Sequence, residues 1–353
     1  MKIPFKTMAF LIITVFSIAC SKDDNPSSPT VKDVYACGYE YNGAGKTVAK
    51  YWKNGITTRL TDGAQNAKAN SIKVVGNDIY VAGYESNGTI DIAKYWKNGV
   101  AVILPNGGSL SYHATDIEVV GSDVYVSGDW ISFRAAFEVR MACYWKNEVL
   151  TTLTSVLNIG HSEAKSIAID GSTIYVAGTE PSNTTGRKIA KYWKNGVSSN
   201  LSNGTFDAYV SDIIVHDNDV YVTGAEWNGS GNTAKYWKNG FPVLLGGASR
   251  TAWASAIKVI GNDVHVVGSE QTGTYLQAKY WKNGEGVNIT DGTKAANAYD
   301  IAVSGSDNYI AGSEATSTTI PALKGKVWVN NTESILNEGA FVAEVVSICL
   351  VMN

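Results

Sequence analysis

Lys94-Tyr95-Trp96-Lys97-Asn98-Gly99 decides the architecture, because the same string, KYWKNG, opens again at Lys50, Lys191, Lys235 and Lys279. Degenerate copies stand at Cys143 (CYWKNE) and Lys326 (KVWVNN). The tryptophan recurs as Trp52, Trp96, Trp145, Trp193, Trp237, Trp281 and Trp328, at intervals of 44, 49, 48, 44, 44 and 47 residues. A second string of the form IYVAG-x-E carries its glycine at Gly38, Gly83, Gly128, Gly178, Gly224, Gly268 and Gly312. Self-similarity at a fixed period in the forties means one supersecondary unit repeated seven times.

Each period reads as four strands. In the second copy, residues 71–75 form strand A, 78–85 strand B, 92–97 strand C and 100–104 strand D, all β-branched or aromatic and too short for helices. Asn98-Gly99 between C and D is the pair a two-residue type I′ hairpin needs, since both positions take φ > 0. Seven four-stranded antiparallel units predict an all-β chain, a seven-bladed β-propeller. The first copy starts at strand B (residues 33–40), and the chain finishes with an extra strand A (residues 343–351). That strand is expected to join the first blade and close the ring, which removes its open edge. Closure also brings Cys37 and Cys349 into one blade on one sheet face, as a disulfide or as two buried thiols. Cys143 reads as a small core residue.

With 29 basic and 32 acidic residues the net charge is -3, and only 17% of the chain is charged. Nucleic-acid binding by phosphate neutralisation is thereby excluded. Lys2 and Lys6, then an apolar run over residues 8–19 too short to span a bilayer, read as a targeting segment. Ser17-Ile18-Ala19-Cys20 resembles a bacterial lipobox with Ser17 in place of the usual Leu, and Ser21-Lys22-Asp23-Asp24-Asn25 resembles the acidic export signal of Bacteroidota-type surface lipoproteins. The resemblance implies a signal peptide over 1–19, lipidation of Cys20 and attachment to the outer membrane, at the cell surface or facing the periplasm. Residues 20–32 then hold the lipidated Cys and a flexible tether, and 33–353 the propeller. The other reading is a secretory signal cut after Ala19. The repeat itself is similar to Trp-x-Asn-Gly propellers of bacterial extracytoplasmic proteins, of the HAF-repeat kind, a resemblance that implies a fold and no activity.

Comparing the copies separates framework from specialised positions. A Glu follows strand B as Glu40, Glu85, Glu180, Glu226, Glu270 and Glu314, and a Lys opens the tryptophan string as Lys50, Lys94, Lys191, Lys235, Lys279 and Lys326. In the third copy both are lost together, to Trp130 and Cys143. The paired loss predicts structural Glu–Lys ion pairs between strands B and C. The three tryptophans outside the repeat string, Trp130, Trp227 and Trp253, are expected in connections on the face opposite the tight turns, where variable loops on a rigid scaffold carry binding. Four residues before the strand A isoleucine, in what reads as the D–A loop, the copies carry Lys68, His113, Glu163, Tyr209, Trp253, Asn297 and Glu344. That column reads as a ring of chosen side chains at the channel mouth, or as an exposed position under no constraint. The third copy's B–C connection adds Phe133, Arg134 and Phe137.

No nucleophile elbow, phosphate loop or metal-ligand spacing is present, so no metal or cofactor is expected. The reading that follows is a membrane-anchored binding module for a glycan or an extracellular protein. A hydrolase or lyase using His113, His161 and Glu163, and a structural subunit of an envelope complex, are the alternatives.

Overall fold

The computed structural model describes residues 31–105, 108, 110–134, 137–154, 160–246, 251–317, 322–336 and 342–353, with the side chains of Phe133, Arg134 and Phe137 also outside the description. The expectations placed on residues 1–30, Cys20 among them, lie outside the described residues.

The chain opens with β1 (Val31–Tyr41), β2 (Thr47–Lys53) and β3 (Ile56–Arg59), then builds a second blade from β4 (Ala67–Val75), β5 (Asp78–Ser86), β6 (Asp91–Lys97) and β7 (Val100–Ile103). The third is β8 (Ser111–Val120), β9 (Asp123–Arg134), β10 (Phe137–Lys146) and β11 (Val149–Thr152), and the fourth β12 (Glu163–Asp170), β13 (Thr173–Pro181), β14 (Lys188–Lys194) and β15 (Val197–Asn200). The fifth is β16 (Ala208–His216), β17 (Asp219–Trp227), β18 (Asn232–Lys238) and β19 (Phe241–Leu244), and the sixth β20 (Ala252–Ile260), β21 (Asp263–Gln271), β22 (Leu276–Lys282) and β23 (Glu285–Asn288). The seventh is β24 (Ala296–Ser304), β25 (Asp307–Ala315), β26 (Leu323–Val329) and β27 (Thr332–Ile335), after which β28 (Ala343–Met352) returns to pair antiparallel with β1. The result is seven four-stranded antiparallel sheets, the first closed by the C-terminal strand. The inner strands β4, β8, β12, β16, β20, β24 and β28 each touch both neighbouring inner strands, which closes a ring around a central channel.

Local chemistry sets each blade. In the second hairpin turn Asn98 (φ 52) and Gly99 (φ 81) both occupy the left-handed region that a type I′ turn demands. Asn98 Oδ1 accepts from Ile79 N at 2.9 Å and its Nδ2 donates to Asp78 at 2.8 Å. The same contact recurs at Asn54, Asn147, Asn239, Asn283 and Asn330, so one asparagine ties the outer hairpin to the start of the second strand and puts both tight turns on one face. The tryptophans of the repeat fill the seams: Trp145, fully buried, packs against Tyr80, Ala82 and Ala93 of the second blade and Tyr112 and Ile117 of the third.

The inner strands are longer than the sequence predicts. β4 begins at Ala67, not Ser71, because a bulge between Ala69 and Ser71 interrupts the alternation without ending the ladder. The same irregularity occurs in every inner strand. It also explains the glycine of the second repeat string. A Cβ at Gly83 would stand 2.0 Å from the Lys68 carbonyl oxygen, and Gly224 would meet that of Tyr209 at 1.8 Å. Only glycine lets the bulged strand approach so closely.

Of the two cysteine readings, the structure matches the pair of thiols. Cys37 and Cys349 are free thiols. Register places Ser347 opposite Cys37 and Tyr35 opposite Cys349, so the two cysteines are diagonal neighbours, about 7–8 Å apart where a disulfide needs Cα atoms within about 6.8 Å. Burial pushes both thiols toward the neutral form.

Candidate functional site

Six blades share an ion pair between the second and third strands: Glu40–Lys50, Glu85–Lys94, Glu180–Lys191, Glu226–Lys235, Glu270–Lys279 and Glu314–Lys326. Five of the lysines are buried and Lys279 is half-buried. Lys94, Lys191, Lys235 and Lys279 also lie over the tryptophan two residues on, with Lys94 Nζ 5.9 Å from the Trp96 ring. These carboxylates are fully engaged by framework partners.

The third blade replaces that unit. Trp130 lies within β9, opposite Met141 on one side and Tyr112 on the other, and stacks on Tyr112 with ring centroids 6.1 Å apart. The expectation of a loop tryptophan is therefore corrected, because the β9–β10 hairpin keeps pairing out to Arg134↔Phe137. Phe133, Arg134 and Phe137 stand at its tip. Trp227 ends β17 and is 38% exposed, and Trp253 is the second residue of β20.

The seven side chains of the variable column are also in strands, at the start of the inner ring, and all are half-buried. Lys68 Nζ sits 4.2 Å above the Tyr39 ring. Tyr209 and Trp253 pack ring to ring at 5.4 Å across two blades, with Lys188 5.1 Å over Tyr209. Glu344 accepts from the hydroxyls of Tyr39 and Tyr299; burial, then that carboxylate, pushes Tyr299 up to about 12. Asn297 bonds to Tyr299 as well. Glu163 pairs with Lys165 at 2.9 Å; burial opposes its ionisation, yet Lys165 and more distant cations hold it below the usual carboxylate range.

His113 has the most organised surroundings. Its Nε2 lies 2.9 Å from Asp91, its Nδ1 3.5 Å from Asp129, and its ring 4.4 Å from that of Tyr84. Burial alone would lower its pKa, but hydrogen bonds to Asp129 and Asp91 overcome it and raise the imidazole to about 9. Arg140 extends the cluster, 3.8 Å from Asp129 and 2.8 Å from Glu138, and His161 lies 3.9 Å from Glu138. Asp129 is only 2% exposed, and its Oδ1 is approached by His113 and Arg140 at 3.5 and 3.8 Å. Asp91, Asp129, Arg140 and Tyr84 were not singled out from sequence. The residue after the strand B glycine reads Tyr39, Tyr84, Asp129, Thr179, Ala225, Ser269 and Ser313, and the single charge in that column was the available signal.

Below the mouth, the residue before each inner-strand isoleucine forms a belt: Ser71, Asp116, Ser166, Asp212, Ala256, Asp300 and Ser347. Asp116 accepts from Ser71 at 2.6 Å, from Ser166 at 2.8 Å and from Ile167 N at 3.0 Å, which links three blades. Asp212 accepts from Ser166 and from Ile257 N, and Asp300 from Ser347 and Ile348 N. Burial pushes Asp212 up to about 6, with Lys258 in the channel opposing it. The channel beyond the belt encloses about 490 Å³. Every belt carboxylate is held between blades, so its first role is mechanical. No group of three His, Cys, Asp or Glu residues with metal-binding geometry occurs among the described residues.

No protein-family profile matches the chain, and no curated protein matches it in sequence. Solved structures do match in fold. An acylaminoacyl peptidase complexed with Z-Gly-Gly-Phe-chloromethyl ketone aligns at TM-score 0.53 and 13% identity over 88% of this chain. The uncomplexed acylaminoacyl peptidase of Pyrococcus horikoshii aligns at 0.52 and 13% over the same 88%. The chain spans about half, 52%, of each of those peptidases. The β-propeller domain of the Trilobed protease from Pyrococcus furiosus aligns at 0.45 and 12%, over 73% of this chain and 78% of that one. At such identities the likeness shows the propeller fold alone.

Proposed function

We propose that the protein is an outer-membrane lipoprotein, anchored through Cys20, that captures a glycan at the mouth of its ring on the face away from the tight turns. The observation that carries the reading is the variable column. One strand position, half-buried in all seven blades, presents six different side chains with no two adjacent blades alike, and neighbours engage across blade seams. A position under no constraint would be exposed and unengaged. Aromatic rings at Tyr209 and Trp253 supply faces for a sugar's apolar surface, and the planar polar groups of Asp91, Glu138 and Arg140 supply hydrogen bonds for hydroxyls.

The hydrolase alternative draws less support. A histidine at about 9 is an imidazolium at neutral pH and cannot accept a proton as a general base. Glu163 is committed to Lys165, and His161 neighbours Glu138.

Retention on a glycan array tests the proposal, with Tyr209→Ala/Trp253→Ala as the comparison. The wild type is expected to bind a restricted set of glycans and the variant to lose them at an unchanged melting temperature. An empty array, with a protein from detergent extracts retained by the wild type and lost by the variant, would replace the glycan by a protein ligand.

A further inference from the structure

The face carrying the tight turns has its own pattern, which the ligand-binding reading does not use. The first residue of the outermost strand is apolar and strongly exposed in five successive blades: Ile56 (75%), Val100 (69%), Val149 (68%), Val197 (72%) and Phe241 (78%). Nearer the axis, the ends of the inner strands expose Val75, Val120, Ile260 and Met352 on the same face. An arc of this kind, one residue in each of five blades beside a type I′ turn and broken by Glu285 and Thr332 in the other two, contributes nothing to the packing of its own blades, and water is a poor solvent for it.

Five lysines of this face are each matched by a carboxylate. Lys53 pairs with Asp33, Lys97 with Asp78, Lys146 with Asp123, Lys238 with Asp219 and Lys282 with Asp263, each at 2.7–3.0 Å. A surface of neutralised pairs between apolar side chains does not steer toward a strongly charged partner.

The path of the chain identifies what lies opposite. β1 starts on this face: Val31 pairs with Met352 at the end of β28, and Val34 N donates to Asn54 in the β2–β3 turn. Ten residues, 21–30, separate Val31 from Cys20. Fully extended, the eleven steps from Cys20 to Val31 reach at most about 40 Å.

We infer that the turn face is a lipid-contacting face, and that these apolar side chains rest on the bilayer surface so that the variable mouth points away from the membrane. The inference rests on the lipid-anchored reading. It adds an orientation and a second membrane contact, which matches the need for two weak signals in stable peripheral attachment. Because five of the turn-face lysines are paired, the contact is carried by the apolar side chains and depends little on salt.

The test uses the full-length lipidated chain in phosphatidylcholine liposomes, in a Cys349→Ser background, with a solvent-sensitive thiol dye at Phe241→Cys on the turn face or at Thr89→Cys in the β5–β6 loop on the opposite face. Doxyl-labelled lipids are expected to quench the dye at 241 strongly and at 89 negligibly, unchanged between low and high salt. Replacing Ile56, Val100 and Val197 by Ser is expected to abolish quenching at 241 while the chain stays with the liposomes. Equal quenching at both sites, quenching at 89 alone, or none at 241 overturns the inference. Flotation separates its failure from that of the anchor: an unquenched chain that still floats has its lipid but not the predicted contact, whereas one that does not float lacks the anchor as well.

Discussion

The third blade and its six siblings differ at the places where the repeat is otherwise strictest. Six blades bury a Glu–Lys pair over the second and third strands; the third stacks Trp130 on Tyr112, buries a neutral Cys143 and lengthens its central hairpin. In the same blade Asp129 takes a position that no other blade charges, and around it gather His113, Asp91 and Arg140. The six show what a blade needs in order to fold. The third shows what can be given up and what is put in its place, so positions that break the pattern mark chemistry the fold does not require.

The comparison breaks first if the framework is not the source of stability. Trp237→Ala, at a fully buried seam between the fourth and fifth blades, is expected to cost about 3–5 kcal/mol in denaturant titration. A cost below about 1 kcal/mol, the size of an ordinary single substitution, would mean the blades do not rely on their seams.

Lys235→Met leaves the Glu226 carboxylate without its partner and should cost about 3 kcal/mol, near the lower end of the range for breaking a buried pair. Cys143→Ala, at the equivalent site of the third blade, removes only a small apolar group and should cost about 1 kcal/mol. Equal losses would erase the distinction between the two kinds of blade.

His113 sharpens it through pH. With a folded value of about 9 against about 6.5 unfolded, its protonated form contributes stability that is complete below pH 6.5 and declines as pH rises to about 9. Two and a half units correspond to about 3 kcal/mol as an upper bound, reduced by partial exposure. His113→Gln should flatten the stability curve over that window, and a curve unchanged by the substitution would refute the Asp91–His113–Asp129 arrangement. Asp212 runs in the same direction, because its folded value is raised too. Its carboxyl is raised to about 6, so it disfavours the fold above that pH and stops doing so as pH falls toward 4.

Seven blades, their four strands, the type I′ turns and closure by the last strand were legible in sequence because each is written locally and repeated. The first halves of the inner strands were not. The bulge at Asn70 and its equivalents breaks period-two alternation, so Ala67 to Asn70 read as loop, and Lys68 and His113 with their column were placed in connections instead of on the inner ring. The two cysteines do lie on one sheet face, but with Cys37 facing Ser347 and Cys349 facing Tyr35 they are diagonal, which the face pattern alone does not distinguish from a direct pair. The belt of Ser71, Asp116, Ser166, Asp212, Asp300 and Ser347 escaped notice because its bonds run between blades, at sequence separations of 45 to 51 residues for Asp116. Trp130, Trp227 and Trp253 were found by subtraction from the repeat, yet only Trp227 is strongly exposed.

The most direct measurement makes the variable column uniform. A chain with Asn at positions 68, 113, 163, 209, 253 and 344, matching Asn297, keeps every seam tryptophan, strand B glycine and Glu–Lys pair. The account predicts a cooperative unfolding transition with a retained propeller circular-dichroism spectrum and complete loss of ligand retention. A uniform-mouth protein that still captures the ligand would place recognition elsewhere on the molecule.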